Sequence, residues 1–289
     1  MAVYDPNTAK VAIITGAAKT SIGALAVRNL VKRGWHVAIL DILEEQGEKL
    51  SADTIFIKCD VSSYQQQAEA FQKVKQLWGR LDAFIPNAGI VERSSYYIFR
   101  HRDSTEVPPE PNTLGVDVTF KAVMYGVQLA IHFMRQNATP GGQIVTVASV
   151  AGLYGSRIYP EYSGSKAAVI GFSLAIAPIL QKKENIQLNT VAPGIVRAEV
   201  VPQALIDANG YEKYAYHHLD SLVIDAILYF LDNKDIAGQL VEVSGEKRLV
   251  VQPRPYANGT PSQRAAAMWA PVFQHVHGEP SEVPGEITW

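Results

Sequence analysis

The chain has 289 residues, of which 47% are hydrophobic and 19% charged, and 26 basic and 28 acidic side chains give a net charge of -2. This length and apolar content suit one large domain with a sizeable core, and the charge balance argues against nonspecific nucleic-acid binding. The single cysteine, Cys59, excludes a disulfide framework and a cysteine-built zinc site.

The amino terminus, MAVYDPNTAK, has neither the basic region nor the apolar core of a secretion signal. No apolar stretch is expected to reach the roughly 20 residues that cross a bilayer. We therefore expect a soluble, cytoplasmic protein with no membrane partner, no nucleic-acid partner and no bound metal.

Short β-branched runs alternate with longer helical stretches along the chain. VAIIT (Val11–Thr15) predicts a buried strand, and apolar residues at helical spacing predict a helix over Ile22–Arg33 that stops at Gly34. Further strands are predicted at HVAIL, Leu81–Ile85, QIVTV and IQLNTV, with helices at Tyr64–Trp78, Leu114–Arg135 and Tyr162–Lys183. This alternation predicts an α/β, doubly wound, mostly parallel sheet of the Rossmann type.

Three segments depart from this alternation. Pro178 should kink or end the last predicted helix, because proline removes a donor and clashes with the preceding turn. Residues Tyr97–Thr113, rich in proline and charge, predict a loop. We expect one domain over residues 1–246 with a lid at 197–220, followed by an irregular C-terminal extension over 247–289.

The turn after the first strand, TGAAKTSIG (Thr15–Gly23), leads directly into a helix. In a βαβ unit such a turn aims backbone N–H groups and a helix N-terminus at a pyrophosphate. Two glycines in an ordinary strand-to-helix turn are the alternative, since short glycine patterns have many false positives.

The second strand ends at Asp41, where a carboxylate can accept hydrogen bonds from the adenosine ribose and repel a 2′-phosphate. This position favours NAD as cofactor, although an exposed acid at a strand end is also common. Lys19 favours NADP instead, because an ammonium in the phosphate turn can pair with a 2′-phosphate.

Tyr162 and Lys166 are four residues apart in YSGSK, which places them on one face of a helix. A nearby ammonium lowers the pKa of a phenol, so Tyr162 is expected to exchange a proton with a substrate oxygen near neutral pH. Ser149 ends the strand QIVTVAS at the carboxyl edge of the sheet, where ligands of such folds bind. Taken alone, the Tyr and Lys fit an amphipathic helix surface better than a catalytic pair.

From about Val11 to Gly245 the chain resembles the short-chain dehydrogenase/reductase family. The matching motifs are TGAAKTSIG, CDV, NAG, APG and the Ser–Tyr–Lys set with a thirteen-residue gap from Ser149 to Tyr162. The helix VDVTFKAVMYGVQLAIHFMR and the long tail are most similar to fungal members, akin to 15-hydroxyprostaglandin dehydrogenases. The resemblance implies cofactor contacts from Gly16, Lys19, Ser21, Ile22, Gly23, Asp41, Asp60, Val61, Asn87, Ala88, Gly89, Tyr162, Lys166, Pro193, Gly194 and Val196.

The resemblance also implies the roles of the catalytic residues. Tyr162 would be the general acid/base, Ser149 would hold the substrate oxygen, and Lys166 would depress the tyrosine pKa and hold the nicotinamide ribose. Thr119 stands where the family has an asparagine whose carbonyl holds a water of the proton relay. The two long helices, 114–135 and 162–183, would pair across a twofold axis, so a homodimer or homotetramer is expected.

Two further positions depart from the family pattern. Ser21 replaces a glycine of the phosphate turn, and its side chain is expected to crowd the pyrophosphate or push the loop outward. Ala198 replaces the threonine that commonly touches the nicotinamide.

The substrate is expected under the segment after APG, which carries Tyr211, Tyr214, Tyr216, His217 and His218. Arg93, Tyr96 and Tyr97 are expected on the opposite wall. The many aromatic residues of this lid favour a bulky small molecule, aromatic or cyclic, as substrate. The alternative, equally favoured, is that these rings pack the lid onto the rest of the domain.

The expected activity is therefore interconversion of a secondary alcohol and a ketone with NAD(P). A non-redox cyclisation or isomerisation in specialised metabolism is the main alternative, motivated by Thr119 and Ala198. A nucleotide-binding module without catalysis is the third hypothesis. The Ser149, Tyr162 and Lys166 set argues against it, because such a module has no need of an activated phenol.

Overall fold

The computed structural model describes residues 9–17, 21–43, 53–196 and 219–288. Lys19, Ala198 and the aromatic lid residues 211–218 lie outside the described residues, so the expectations for them stay predictions. The same is true of the predicted lid up to residue 218.

The described strands form one sheet. They are β1 (Val11–Thr15), β2 (His36–Asp41), β3 (Thr54–Lys58), β4 (Ala83–Ile85), β5 (Gly142–Val147), β6 (Ile186–Pro193), β7 (Leu240–Ser244) and β8 (Lys247–Val250). Their order across the sheet is β3-β2-β1-β4-β5-β6-β7-β8. All pairs are parallel except β7 with β8, which is antiparallel. The predicted doubly wound, mostly parallel sheet is confirmed.

Helices cover both faces of this sheet. They are α1 (Ile22–Lys32), α2 (Tyr64–Trp78), α3 (Leu114–Val116), α4 (Ala122–Met134), α5 (Val150–Tyr154), α6 (Pro160–Glu184), α7 (Leu219–Asp232), α8 (Thr260–Ala266) and α9 (Ala270–His277). Helices α2, α4 and α6 pack on one apolar face, and α1 and α7 pack on the other. Continuous apolar strands such as β1, which is buried at all five residues, are what two covered faces require.

The order of the strands reverses between β1 and β4, which are neighbours although β2 and β3 separate them in the chain. In an open α/β sheet, ligands bind in the crevice at the carboxyl ends of the two strands where the order reverses. The residues that follow these two strands, Gly16 and Asn87, therefore lie at the expected cofactor crevice.

The helix predicted over 114–135 contains a change of winding. A π-helical segment at Asp117–Lys121 joins α3 to α4, and Thr119 lies in it. Such π segments are inserted turns that occur frequently at functional sites.

Pro178 does not end its helix, because α6 continues to Glu184, and the alternative that it kinks the helix stays a prediction. Pro178 is exposed, and so is Leu174, whose carbonyl would have accepted the missing N–H bond. Because that carbonyl lies on the outer side of the helix, water can replace the lost donor.

The C-terminal extension contains more regular structure than predicted. Strand β8 extends the sheet beyond the predicted boundary at residue 246, and α8 and α9 follow it. Lys183, near the end of α6, contacts Glu282 at 2.9 Å and Glu279 at 3.2 Å. These contacts hold the last part of the tail against the C-terminal end of α6, whereas Tyr162 lies near its N-terminal end.

Two helical stretches, Leu114–Met134 and Pro160–Glu184, are long and apolar enough to cross a membrane, which corrects the expectation that no such stretch exists. Both pack against the sheet, and each has 44% of its most apolar window buried. This arrangement is that of core helices, which pass the same test of length and composition.

Candidate active site

The turn after β1 packs closely against the loop after β4. The Asn87 amide donates to the carbonyls of Thr15 at 3.1 Å and Gly16 at 2.8 Å, and the backbone N–H groups of Asn87 and Ala88 donate to Thr15 Oγ1, each at 3.0 Å. Gly16 has φ +67°, and a Cβ there would lie 2.6 Å from Ala88 Cα. A residue with a side chain would therefore separate the two loops of the crevice.

The N-terminus of α1 faces this turn. A Cβ at Gly23 would lie 2.8 Å from both Asn87 Nδ2 and Gly16 O, so glycine allows α1 to approach. The first N–H groups of a helix, here those of Ile22 and Gly23, have no partner within the helix. Such groups favour a phosphate, and the turn therefore fits the pyrophosphate of a dinucleotide.

Ser21 is the N-cap of α1. Its Oγ accepts from Ala24 N–H at 3.2 Å and donates to Gly16 O at 3.3 Å. The hydroxyl is thus bonded to the helix and to the turn itself, and the expected crowding of the pyrophosphate stays a prediction.

The acids predicted to contact the adenosine lie at the ends of two adjacent strands. Asp41 closes β2, and its Oδ1 accepts from Leu43 N–H at 3.2 Å. Asp60 follows β3, and its Oδ1 accepts from the backbone and the hydroxyl of Ser62. Val61, beside it, is buried. These residues lie on the β1–β2–β3 side of the crevice, as the predicted adenosine position requires.

The three residues of the predicted catalytic set come together at the carboxyl edge of β5. Ser149 is the N-cap of α5, accepts from Ala151 N–H at 3.1 Å, and lies beside Tyr162. Lys166 is 3% exposed, and its Nζ donates to Val147 O at 2.7 Å. The same Nζ lies 5.7 Å from the centre of the Tyr162 ring.

The pKa values of this set are governed by burial. Burial raises the pKa of Tyr162, and the neighbouring Ser149 hydroxyl partly opposes that rise. Burial also lowers the pKa of Lys166 to about 8. The predicted lowering of the tyrosine pKa by Lys166 is therefore not found. The physical reason is that the cost of burying a phenolate dominates.

Thr119, which is fully buried, contacts the loop that follows β4. Its Oγ1 accepts from Ile90 N–H at 3.1 Å and donates to Ile90 O at 3.2 Å. A Cβ at Gly89 would lie 3.3 Å from Lys166 Nζ and 3.5 Å from Thr119 Oγ1. Gly89, Thr119 and Lys166 therefore meet at one point, but the Thr119 hydroxyl is occupied by backbone groups.

The carboxyl end of β6 supplies the last predicted cofactor residues. Pro193 ends the strand, Gly194 N–H donates to Val243 O at 2.7 Å, and Val196 is 8% exposed on the face covered by α1 and α7. These residues therefore lie at the same edge of the sheet as Ser149.

A cavity of about 240 Å³ opens beside the N-terminus of α6, and its walls include Arg93, Tyr96 and Tyr97. Glu92, Ser94, Ser95, Ile158, Tyr159 and Pro160 complete its lining. Tyr159 and Pro160 precede Tyr162 by three and two residues. The cavity therefore adjoins the segment that carries the phenol.

Sequence reasoning missed two residues that hold this site together. A Cβ at Gly152 would lie 2.7 Å from the backbone carbon of Lys166, so only glycine lets α5 cross α6 this closely. The Glu92 carboxylate accepts from the backbone N–H groups of Glu161 and Tyr162. The position of Gly152 three residues after Ser149 was a usable signal for a tight helix crossing, but nothing local marks Glu92.

Over the part of the chain that the structure describes, no three histidine, cysteine, aspartate or glutamate side chains are grouped so as to hold a metal ion. Cys59 is buried, and its pKa is raised to about 12, mainly by that burial. Its thiol is therefore not a reactive group of this site.

Comparison with known proteins agrees with this geometry. The profile of the family described as short chain dehydrogenase matches residues 10–208. The chain is 39% identical to short-chain dehydrogenase/reductase prx6 of Penicillium rubens over 293 residues, which covers 96% of this chain and 97% of that protein. It is 33% identical to prx7 of the same fungus over 66% of this chain and 68% of that one.

A more distant similarity extends to animal enzymes. The chain is 29% identical to 15-hydroxyprostaglandin dehydrogenase (NAD(+)) of Rattus norvegicus, over 84% of this chain and 94% of that protein. The resemblance identified from the motifs, including the fungal and prostaglandin dehydrogenase relatives, is thereby confirmed. The chain belongs to the short-chain dehydrogenase/reductase family and is an oxidoreductase.

Proposed function

We propose that this oxidoreductase uses NAD to interconvert a secondary alcohol and a ketone on a bulky small molecule, aromatic or cyclic, with Tyr162 as the general acid/base. The observation that carries the proposal is the position of Tyr162 beside Ser149, which lowers its pKa, and near the buried ammonium of Lys166. A phenol, a hydroxyl and an ammonium at one strand edge are what a carbonyl oxygen requires for polarisation and protonation.

When bound, the nicotinamide would supply or accept the hydride. Tyr162 would give its proton to the ketone oxygen or take it from the alcohol, and its raised pKa keeps it protonated at neutral pH. Ser149 would donate to the same oxygen. Lys166, with a pKa of about 8, is mostly charged at neutral pH and would stabilise the phenolate as it forms.

The decisive experiment follows NADH absorbance with a panel of cyclic and aromatic ketones, using Tyr162→Phe as the variant. We expect the variant to lose turnover while its NADH affinity, measured by nicotinamide fluorescence, stays within about threefold of wild type. Retained turnover would refute the role of Tyr162. Product formed without matching NADH consumption would support the non-redox alternative instead.

The preference for NAD over NADP rests on Asp41 at the end of β2. Its carboxylate would accept from the ribose hydroxyls and repel a 2′-phosphate. Asp41→Ala should weaken NADH binding by about 10- to 100-fold, as expected for a charged hydrogen bond. NADPH binding should change little or improve. Lys19→Ala is the matched variant, and a selective loss of NADPH binding in it would mean that Lys19 pairs with a 2′-phosphate.

The proposed substrate class follows from the tyrosine-rich cavity beside α6. Tyrosine rings supply rigid apolar walls with a polar edge, which suits a ring-containing ligand. Tyr97→Ala should raise the KM for a cyclic ketone more than the KM for acetone. Equal effects on both would contradict the assignment of this cavity to the substrate.

We also propose that the protein is a homodimer or homotetramer paired through α6. The outer side of this helix exposes an uncharged row of mostly small residues, namely Gly164, Ala167, Gly171, Leu174, Ala175 and Pro178. Leu174→Arg should lower the mass measured by light scattering to that of one protomer. A wild-type protein that is already monomeric would refute the proposal.

A further inference from the structure

The N-terminus of the helix that carries Tyr162 and Lys166 is capped by an acid from a distant loop. Glu92 lies three residues beyond Gly89, and its carboxylate accepts from Glu161 N–H at 3.3 Å and from Tyr162 N–H at 3.1 Å. The first N–H groups of a helix need such acceptors, and a negative charge there also complements the helix dipole. The backbone of Tyr162 is thus bonded directly to the loop after β4.

A second acid continues the connection from α6 to α3. Glu161, which is 9% exposed, accepts from Val116 N–H at 3.0 Å and from the hydroxyl of Tyr96 at 3.3 Å. A Cβ at Gly115 would lie 2.5 Å from Glu161 Oε1, so glycine allows the carboxylate to reach α3. The bond fixes the start of the helix that leads into the π segment containing Thr119.

The π segment connects α3 back to the loop after β4. Thr119 bonds both backbone groups of Ile90, which lies two residues before Glu92. The loop after β4, the start of α6 and the start of α3 are therefore joined in a closed ring of side-chain-to-backbone hydrogen bonds. Gly89 and Lys166 Nζ lie beside this ring, as their separation from Thr119 shows.

We propose that Glu92 and Glu161 are positioning residues. They hold Tyr162, Lys166 and Thr119 in a fixed position relative to the loop after β4. The inference rests on the proposed function, because it assigns the two acids an effect on the proton transfer by Tyr162. Neither acid contacts the phenol itself in this ring. Their effect is exerted through the backbone of α6, and misplacement of a reacting group by about 1 Å is enough to lower a rate by about 10²-fold.

The first test measures the capping bonds without any substrate. Residue-resolved amide hydrogen exchange would be compared in wild type and in the variants Glu92→Ala and Glu110→Ala. Glu110→Ala is the control, because Glu110 is an exposed acid in the loop that follows Glu92. We expect exchange at Glu161 and Tyr162 to become about tenfold faster in Glu92→Ala and to stay unchanged in the control. Unchanged exchange at both amides in Glu92→Ala would overturn the inference.

The second test measures catalysis per cofactor-binding site. Glu92→Ala should lower kcat by about 10- to 100-fold while NADH stoichiometry and affinity remain near wild type. Glu92→Gln keeps one carbonyl acceptor and should restore part of the rate. Gly115→Ala displaces the Glu161 carboxylate and should lower kcat in the same way, which keeps the test available if Glu92→Ala fails to fold.

The outcomes separate this inference from the proposed function. If Tyr162→Phe abolishes turnover but Glu92→Ala and Gly115→Ala keep the wild-type kcat, the positioning role is refuted and the proposed function stands. If Tyr162→Phe retains turnover, the proposed function fails, and the role of the acids in proton transfer fails with it. A fall in total activity matched by an equal fall in NADH-binding sites would leave kcat per site unchanged and would also overturn the positioning role.

Discussion

Adding one methyl group at Gly152 should slow catalysis without touching any reacting atom. The Cβ of Gly152→Ala would lie 2.7 Å from the carbonyl carbon of Lys166 and 2.9 Å from Ala167 N, both of which are backbone atoms of α6. Ordinary van der Waals contact begins at 3.4 Å, so α5 and α6 must separate by about 0.7 Å. Because Ser149 is the N-cap of α5, this separation moves Ser149 away from Tyr162.

The size of the effect follows from that displacement. A shift of about 1 Å lowers rates by about 10²-fold, so kcat should fall by about 10- to 100-fold, which corresponds to about 1.4–2.7 kcal/mol of transition-state stabilisation. Overpacking should also lower the free energy of unfolding by about 1–3 kcal/mol. NADH binding should persist, because the phosphate turn and Asp41 are on other elements.

The assay is NADH oxidation at saturating ketone, normalised to the NADH-binding sites counted by fluorescence titration. Gly164→Ala is the matched control, because it adds the same methyl group on α6 where nothing in the same protomer lies within 4 Å. Because Gly164 belongs to the row proposed to pair two protomers, light scattering would check that the control keeps the wild-type oligomeric state. The control should keep its activity and gain about 0.5–1 kcal/mol of stability from the better helix former. A folded Gly152→Ala variant with kcat within twofold of wild type would refute the reasoning.

Three further predictions concern charge, the tail and backbone strain. Because burial lowers the pKa of Lys166 to about 8, below its unfolded value near 10.4, the folded state loses this proton first. The free energy of unfolding should therefore rise between about pH 8 and pH 10, before tyrosines ionise, and Lys166→Met should lack that rise in urea titrations. Lys183→Ala releases Glu279 and Glu282, so limited proteolysis should cleave the tail faster while kcat is unchanged; uncleaved tail would contradict this anchoring role. Ile98 has φ +43°, a strained conformation for a β-branched residue, so Ile98→Asn should raise the urea-derived unfolding free energy by about 1 kcal/mol, and a decrease would contradict the strain.

Most of the fold was predictable from the spacing of apolar residues along the chain and from the residues at the ends of the strands. The apolar runs that became β1, β2, β5 and β6 are buried along nearly their whole length, which is why they were recognisable as strands of a sheet covered on both faces. In contrast, β3 is only partly buried and its apolar run is short, Ile55–Ile57 between Thr54 and Lys58. Strand β8 is exposed and begins with two charged residues, so neither strand is easily distinguished from a loop.

The candidate site was predictable where its chemistry lies within one motif. Ser149, Tyr162 and Lys166 were assigned from a strand end and one helix face, and the structure brings all three together. The capping role of Glu92 was not predictable, because 70 residues separate it from Tyr162 and no local pattern indicates the pairing. The tyrosine pKa was also misjudged, since the burial of its ring depends on tertiary packing that spacing does not describe.

The two described departures from the family pattern have a common physical consequence. Ser21, in place of a glycine, uses its hydroxyl to cap α1, and Thr119, in place of an asparagine, uses its hydroxyl to bind both backbone groups of Ile90. In each case a short hydroxyl side chain bonds the backbone beside it instead of extending into the crevice. The two hydroxyls therefore bond the loops that border the expected cofactor crevice, while Ser149, Tyr162 and Lys166 keep the groups that the proposed proton transfer requires. Any loss they cause should fall on cofactor affinity or on proton exchange with solvent, not on the arrangement of the phenol, hydroxyl and ammonium.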